Sequence, residues 1–183
     1  MTGTFKRSVN TRNDMTESKR VFDGRIISVR VDRVQINGRE TIREVVEHGG
    51  SAATLPLIGD TIIMEKQYRY AIGKELYEIP AGTIEKGESP EKCATRELVE
   101  ETGFKAGRLE PLGQCYMTPG YSTEMMYFFV ATDLKEAKSQ EMDADEQLTT
   151  VKISIDDAVR MISNGEIQDA KTVYAILTYR SKR

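Results

Sequence analysis

No run of apolar residues reaches the roughly 18 that a membrane-spanning helix needs, and the N-terminus has no signal-peptide apolar core. The expected location is therefore the cytoplasm, with no membrane partner. Positive charge is not in surplus either. The chain carries 26 Lys and Arg against 29 Asp and Glu, a formal net charge of −3, which gives no general attraction for nucleic acid. A polyanionic substrate must be met by local Arg and Lys or by metal. Cysteine is scarce, and Cys93 and Cys115 have neither CxxC nor zinc-like spacing. In a cytosolic domain they read as free thiols rather than a disulfide. His48 is the single histidine; it could serve as a base, but nothing places it near the acidic Gly82–Phe104 stretch and a structural or surface role is expected, while Ser/His/Asp and Cys/His schemes have no supporting motif. What remains is globular: 183 residues, 30% charged and 39% hydrophobic, enough chain to bury a good core.

The informative stretch is Gly82 to Phe104, GTIEKGESPEKCATRELVEETGF. It sets Gly82, Glu88, Arg96, Glu97, Leu98, Glu100, Glu101, Gly103 and Phe104 in the order G-x5-E-x7-R-E-U-x-E-E-x-G-U, with U a bulky apolar residue. Chance would produce this on the order of 10⁻⁹ per starting position at average residue usage, so it is read as a signature. Ser89-Pro90 is a helix entry and Gly103 an exit. At 100° per residue, Glu97, Glu100 and Glu101 share one arc, while Ala94, Leu98, Val99 and Thr102 take the other. Carboxylates three and four residues apart destabilise a helix by a few tenths of a kcal/mol per pair, roughly, so a cation is expected among them. Hard divalent ions prefer carboxylate oxygen, and Mg²⁺ bridges such groups to substrate phosphates. Arg96, one turn before Glu100, is placed to orient a carboxylate. The competing reading is a solvated acidic face; the outlying Gly82, Glu88 and Gly103 favour the metal site.

This pattern resembles the Nudix box, the signature of hydrolases that cleave diphosphates linked to another moiety. Gln67-Tyr68-Arg69 and Glu78-Ile79-Pro80-Ala81-Gly82 narrow the resemblance to the ADP-ribose pyrophosphatase branch, which carries similar Q-[YF]-R and E-[LI]-P-A-G runs. That branch also carries a proline about sixteen residues past the last box glycine, and Pro119, in Thr118-Pro119-Gly120, stands there. A segment similar to the branch's G-x-I-x-D-A-K lies at Gly165 to Lys171. The resemblance implies an α/β fold: the Nudix α/β/α sandwich with a mixed sheet, preceded by an N-terminal antiparallel strand subdomain.

Taken in order, residues 1–17 are polar and aperiodic, an expected loosely held arm. Residues 18–50 form the expected strand subdomain, and 51–183 the hydrolase domain. Ile27, Val29 and Val31 alternate with Ser28, Arg30 and Asp32, the mark of a half-buried strand. Asn37-Gly38 is a strong hairpin signal, returning along Thr41 to Glu47. Ala52 to Leu57 and Thr61 to Tyr68 read as a second strand pair. Strands are expected at Leu109 to Met117, Met125 to Thr132 and Leu148 to Ile153, and helices from Ser154 or Ile155 to Asn164 and from Lys171 to Arg180. Asp133 to Gln147 reads as an acidic loop.

By resemblance, Glu97, Glu100, Glu101 and the backbone carbonyl of Ala81 hold Mg²⁺, or Mn²⁺ or another divalent ion, with Glu88 in support. Glu146, or else Asp145, activates water from the acidic loop; a solvated loop is the competing reading. Arg69 holds a substrate phosphate, and Pro119 and Gly120 border the substrate. Relatives are homodimers whose N-terminal strands complete the adenine pocket, where Phe22, Arg43 and Glu44 match the contributing positions. The expected reaction is metal-dependent hydrolysis of ADP-ribose, a small nucleoside diphosphate sugar, to AMP and ribose 5-phosphate. Alternatives are another nucleotide sugar such as GDP-mannose, and a non-catalytic ADP-ribose-binding sensor, which would be expected to have lost carboxylates from the box. Action on an RNA 5′ diphosphate is disfavoured by the missing basic stripe.

Overall fold

The computed structural model describes residues 14–137 and 148–183, and the chain divides into two units. One comprises Met1–His48 with Gly120–Thr123; the other comprises Gly49–Pro119 and Glu124–Arg183.

The first unit is an antiparallel sheet of β1 (Asp14–Asp23), β2 (Ile27–Ile36) and β3 (Arg39–His48), in that order. Asn37 and Gly38 make the β2–β3 turn with φ of 53° and 74°, the doubly positive conformation of a two-residue hairpin that Asn-Gly favours. Register then runs unbroken from Ile36↔Arg39 to Ile27↔His48. The expected arm ends at Glu17, yet β1 already begins at Asp14. Its pairing is polar: Glu17 bridges Arg33 at 3.2 Å, Ser18 donates to Asp32 at 2.6 Å and Arg20 meets Glu47 at 2.7 Å. A strand held by cross-strand polar partners leaves no apolar alternation to read. Ser122 bridges the parallel edge of Val46, whose N–H donates to the Tyr121 carbonyl at 2.7 Å.

The second unit is built on β4 (Ser51–Ile58), β5 (Thr61–Arg69), β6 (Lys74–Glu78), β7 (Ala81–Thr83), α1 (Pro90–Thr102), β8 (Phe104–Lys105), β9 (Arg108–Tyr116), β10 (Met125–Thr132), β11 (Lys135–Glu136), β12 (Leu148–Ser154), α2 (Ile155–Ser163) and α3 (Ala170–Ser181). The main sheet runs β12-β5-β4-β10-β9, with β10 parallel to β4 and the other pairs antiparallel. β8 and β11 pair separately. From Ser51 to Leu57 every residue of β4 is buried, as expected of a strand covered on both faces. Alternate residues serve opposite layers. Ala53, Leu55 and Leu57 of β4 and Met126, Phe128 and Val130 of β10 pack with Ile155, Ala158 and Met161 of α2 and Ala175 and Ile176 of α3. Ala52 and Phe129 pack with Cys93 and Ala94 of α1. The result is the expected helix–mixed sheet–helix sandwich, in which burying each large aliphatic side chain contributes about 1.5–3 kcal/mol.

One departure positions the site. β4 and β5 do not form a full hairpin; they pair only at Leu57↔Ile62 and Ile58↔Thr61. Beyond that they part, β6 taking the freed edge of β5 from Glu65 to Arg69 and β7 the freed edge of β4 from Ser51 to Ala53. The Glu78–Gly82 segment therefore crosses the split in the sheet. The Thr54 N–H donates to the Pro80 carbonyl at 2.9 Å, at a residue that has no N–H of its own for a ladder.

Candidate metal and diphosphate site

Helix α1 begins and ends where its local chemistry requires. Ser89 caps it, accepting from the Lys92 N–H at 3.3 Å, Pro90 opens the first turn, and Gly103 closes it with φ of 72°, donating to the Val99 carbonyl. Its core side buries Cys93, Ala94, Leu98 and Thr102, with Val99 half-buried. Burial first, then the charge of Glu97, pushes the Cys93 thiol up to about 12; Sγ lies 3.5 Å from the Gly82 carbonyl. Cys93 is a packed thiol rather than a nucleophile.

The carboxylates behave as two sets. Glu101, counted with the exposed acidic arc, is only 6% exposed, and its Oε2 accepts from the Ala81 N–H at 2.8 Å. It sits at the margin of the arc because β7 passes there. Glu88, Glu97 and Glu100 gather round Arg96. The guanidinium donates from Nε and Nη2 to Glu88 at 3.0 and 3.2 Å, and from Nη1 to Glu97 at 2.7 Å and Glu100 at 2.9 Å. Nη2 also reaches the Thr83 carbonyl at 3.3 Å. Hydrogen bonds from Arg96 hold the Glu88 carboxyl below its usual range, and the same bonds hold Arg96 firmly protonated. Arg96 thus contacts Glu100, one turn on, and also Glu97 and Glu88.

The Glu97 carboxylate lies directly against the backbone of β7. A Cβ built on Gly82 would fall 1.7 Å from Glu97 Oε1, so only glycine leaves room for this carboxylate. Among the described residues, no group of three or more His, Cys, Asp or Glu forms a ready metal cage, since Arg96 stands among three of the acids. The donor set still fits a hard divalent ion. It is all oxygen, it is rich in carboxylate, and Glu97 and Glu101 converge on adjacent residues of β7, namely Gly82 and Ala81.

A second charged cluster adjoins the same segment at its base, Glu78. Arg69, at the end of β5, grips Glu78 in a fork, Nε to Oε1 at 2.7 Å and Nη2 to Oε2 at 2.6 Å. Lys171 of α3 donates its Nζ to Glu78 Oε2 and forms an ion pair with Asp169 Oδ2 at 3.0 Å. Burial alone would raise the Glu78 carboxyl, but the bonds from Arg69 and the charge of Lys171 outweigh it and hold it below the usual range. Asp169 caps α3 through the Thr172 N–H, and the Thr172 hydroxyl accepts from the Ile79 N–H at 3.0 Å. Glu78, Lys171, Asp169 and Thr172 were not singled out from sequence as functional. Their signals were the leading Glu of the E-I-P-A-G run and the D-A-K segment, which have no spacing relation to each other.

Pro119 and Gly120 form an exposed turn, and a Cβ at Gly120 would meet nothing within 4 Å. In the first unit, Phe22 is 52% exposed, Arg43 bonds Thr41 and the Ile42 carbonyl, and Glu44 is exposed. As neighbours on β3, Arg43 and Glu44 point to opposite faces of the sheet. His48 also belongs to that unit. Asp145 and Glu146 lie outside the described residues. Among the described residues, no helix is long and apolar enough to cross a membrane.

Comparison with known proteins bears on the family and the fold. The NUDIX domain family matches residues 48–175. The chain is 38% identical over 161 residues to the ADP-ribose pyrophosphatase of Bacillus subtilis (strain 168), covering 86% of this chain and 87% of that one. It is 36% identical over 163 residues to the methanol dehydrogenase activator of Bacillus methanolicus, covering 87% and 88%. To the GDP-mannose pyrophosphatase of Enterobacter sp. (strain 638) it is 35% identical over 141 residues, covering 72% and 73%. A solved ADP compounds hydrolase superposes with a TM-score of 0.82 at 24% identity, covering 92% of both chains, which speaks to the fold. With box, fold and relatives in agreement, the chain belongs to the Nudix hydrolase family.

Proposed function

We propose that the protein hydrolyses the diphosphate of ADP-ribose to AMP and ribose 5-phosphate with the help of Mg²⁺ or a similar divalent ion. The observation that carries this reading is the Glu97 carboxylate seated on Gly82, beside Glu101 on the Ala81 N–H. Two carboxylates of one helix are thereby aimed at one short strand. Glu97, Glu100 and Glu101, with the Ala81 carbonyl and Glu88, would hold the metal, which when bound neutralises charge on the diphosphate oxygens. Arg96 keeps the acids in register, and Arg69 offers a guanidinium to a phosphate. An acidic-loop carboxylate, Glu146 or Asp145, takes the proton of the attacking water. Phe22, Arg43 and Glu44 serve the adenine, in a pocket that a second copy of the chain completes. The enzyme works in the cytoplasm as a homodimer.

The GDP-mannose pyrophosphatases among the relatives favour a second reading, in which another nucleotide sugar is the substrate. Turnover of ADP-ribose, GDP-mannose and flavin adenine dinucleotide compared at one Mg²⁺ concentration separates the two. ADP-ribose is expected to win; a deficit of about tenfold in kcat/KM would end the first reading. Intact ADP-ribose after incubation with folded protein and excess Mg²⁺ would instead point to a sensor, although none of the box carboxylates is missing.

A further inference from the structure

Ile79 and Pro80 lie past the last β5–β6 pair, Glu65↔Glu78, and before Ala81, which pairs with Ala53 in the β4–β7 ladder. The backbone of this gap is held from three different elements. The Ile79 N–H donates to Thr172 Oγ1 of α3 at 3.0 Å, the Pro80 carbonyl accepts from the Thr54 N–H of β4 at 2.9 Å, and the Ala81 N–H donates to Glu101 Oε2 of α1 at 2.8 Å. Ile79 and Thr172 are both fully buried, so bulk water does not reach the first of these bonds and cannot stand in for it.

The Thr172 hydroxyl is turned toward Ile79 by its own partner. A hydroxyl has one proton and two lone pairs. Here the proton goes to Asp169 Oδ2 at 2.6 Å, which leaves acceptor capacity for the Ile79 N–H. Asp169 is the N-cap of α3 and also accepts from the Thr172 N–H at 3.0 Å, so the first helical turn fixes both residues. Lys171 Nζ lies 3.0 Å from the same Asp169 oxygen. With donors converging on that oxygen, the Thr172 proton has one settled direction.

What is held at Ile79 matters at the metal site. Ile79 stands two residues before Ala81 and three before Gly82, the backbone on which Glu101 and Glu97 converge. Pro80 lies between them and fixes one of the intervening dihedrals, so a shift at Ile79 is carried forward rather than absorbed. Helix α3 packs on the face of the sheet opposite α1, and through Thr172 it takes part in placing β7.

We infer that Thr172 is a positioning residue for the metal site: its hydroxyl, turned by Asp169, holds the Ile79 N–H and so sets where the Ala81–Gly82 backbone stands relative to Glu97 and Glu101. This rests on the metal-dependent reading above. Thr172 touches neither metal nor substrate and acts through the Ile79–Ala81 backbone.

The test is titration with Mn²⁺, followed by electron paramagnetic resonance without substrate, on wild type, Thr172→Val, Thr172→Ser and Ile176→Val. Thr172→Val keeps the shape but leaves the buried Ile79 N–H without its acceptor, and is expected to weaken Mn²⁺ binding by about fivefold or more. The Mg²⁺ concentration for half-maximal turnover of ADP-ribose should rise by a similar factor, with KM for ADP-ribose at saturating Mg²⁺ within about twofold of wild type. Thr172→Ser keeps the hydroxyl and should stay within about twofold in every respect. Ile176→Val, one turn further along α3 in the core, is the control: it should lower Tm and leave Mn²⁺ affinity within about 1.5-fold. A merely structural threonine would lower Tm on substitution and leave Mn²⁺ affinity unmoved. The inference is overturned if folded Thr172→Val binds Mn²⁺ as wild type does, if Thr172→Ser is as impaired as Thr172→Val, or if Ile176→Val weakens binding as much. Should Thr172→Val fail to fold by circular dichroism, amide hydrogen exchange of the wild type decides. Coupling is reciprocal, so saturating Mg²⁺ should slow exchange of the Ile79 N–H by about fivefold or more, and an unchanged rate overturns the inference. Wild-type protein that binds Mn²⁺ yet cleaves neither ADP-ribose nor GDP-mannose defeats the functional reading alone, and the Mn²⁺ titrations still decide on Thr172. Wild-type protein that binds neither Mn²⁺ nor Mg²⁺ defeats both.

Discussion

The two charged clusters at either end of the Glu78–Gly82 segment are opposites. Around α1, one guanidinium, Arg96, stands among three carboxylates, Glu88, Glu97 and Glu100. At the base of the segment, one carboxylate, Glu78, stands between two cations, Arg69 and Lys171. The first cluster is short of positive charge and suits metal ions; the second, in which Asp169 also pairs with Lys171, balances its own charges and ties β5, β6 and α3 together. The clusters also differ in where their order comes from. The α1 acids are aligned by helix periodicity within a few residues, whereas Glu78 is assembled from segments 93 residues apart.

The comparison is broken most severely on the acidic side. Glu97→Gln or Glu101→Gln is expected to cut kcat by about 10²-fold or more, with little change in Tm for Glu97. A Glu97→Gln enzyme with near wild-type turnover would remove α1 from the chemistry. Gly82→Ala comes next. Its methyl group would occupy the place of Glu97 Oε1, and displacing that carboxylate by about 1 Å is expected to cost on the order of 10²-fold in kcat/KM. A well-folded Gly82→Ala protein with normal turnover would show that the contact is dispensable.

Smaller still is an effect on acid stability. The folded-state value of Glu78 is lowered, so its contribution is fully present above the ordinary carboxylate value of about 4.5 and is lost as pH falls through the folded value. Glu78→Gln should therefore reduce Tm at pH 7 and match wild type increasingly well as pH drops below about 4. A difference in Tm that stays constant from pH 7 to pH 3 would contradict this, taking those values as roughly spanning the titration. The smallest expected effect is at Cys93, whose thiol is buried and raised to about 12. Alkylation by iodoacetamide at neutral pH should not label it in native protein, and rapid labelling would show that the β7–α1 contact opens.

Much of this is legible in the amino-acid sequence. Ser89, Pro90 and Gly103 bound α1 through local capping, and the spacing of Glu97 and Glu100 places them beside Arg96 because a helix has a fixed period. The Asn37-Gly38 turn and strands such as β10 followed equally from local pattern. The first residues of β1 did not, since their partners are polar and lie across the sheet. The part-way splitting of β4 from β5 was also hidden, because a hydrophobic strand looks the same whether its edge meets a neighbour for two residues or eight.

Sequence by itself determined the family, the helix that carries the acids, and the chemistry those acids suit, because each depends on residue type and short-range spacing. Tertiary structure alone decided that Glu101 is buried on the Ala81 N–H, that Gly82 must be glycine to admit Glu97, and that Lys171 reaches Glu78. These depend on which segments pack together, and a side chain's electrostatic role follows from the charges that packing brings within a few ångströms of it.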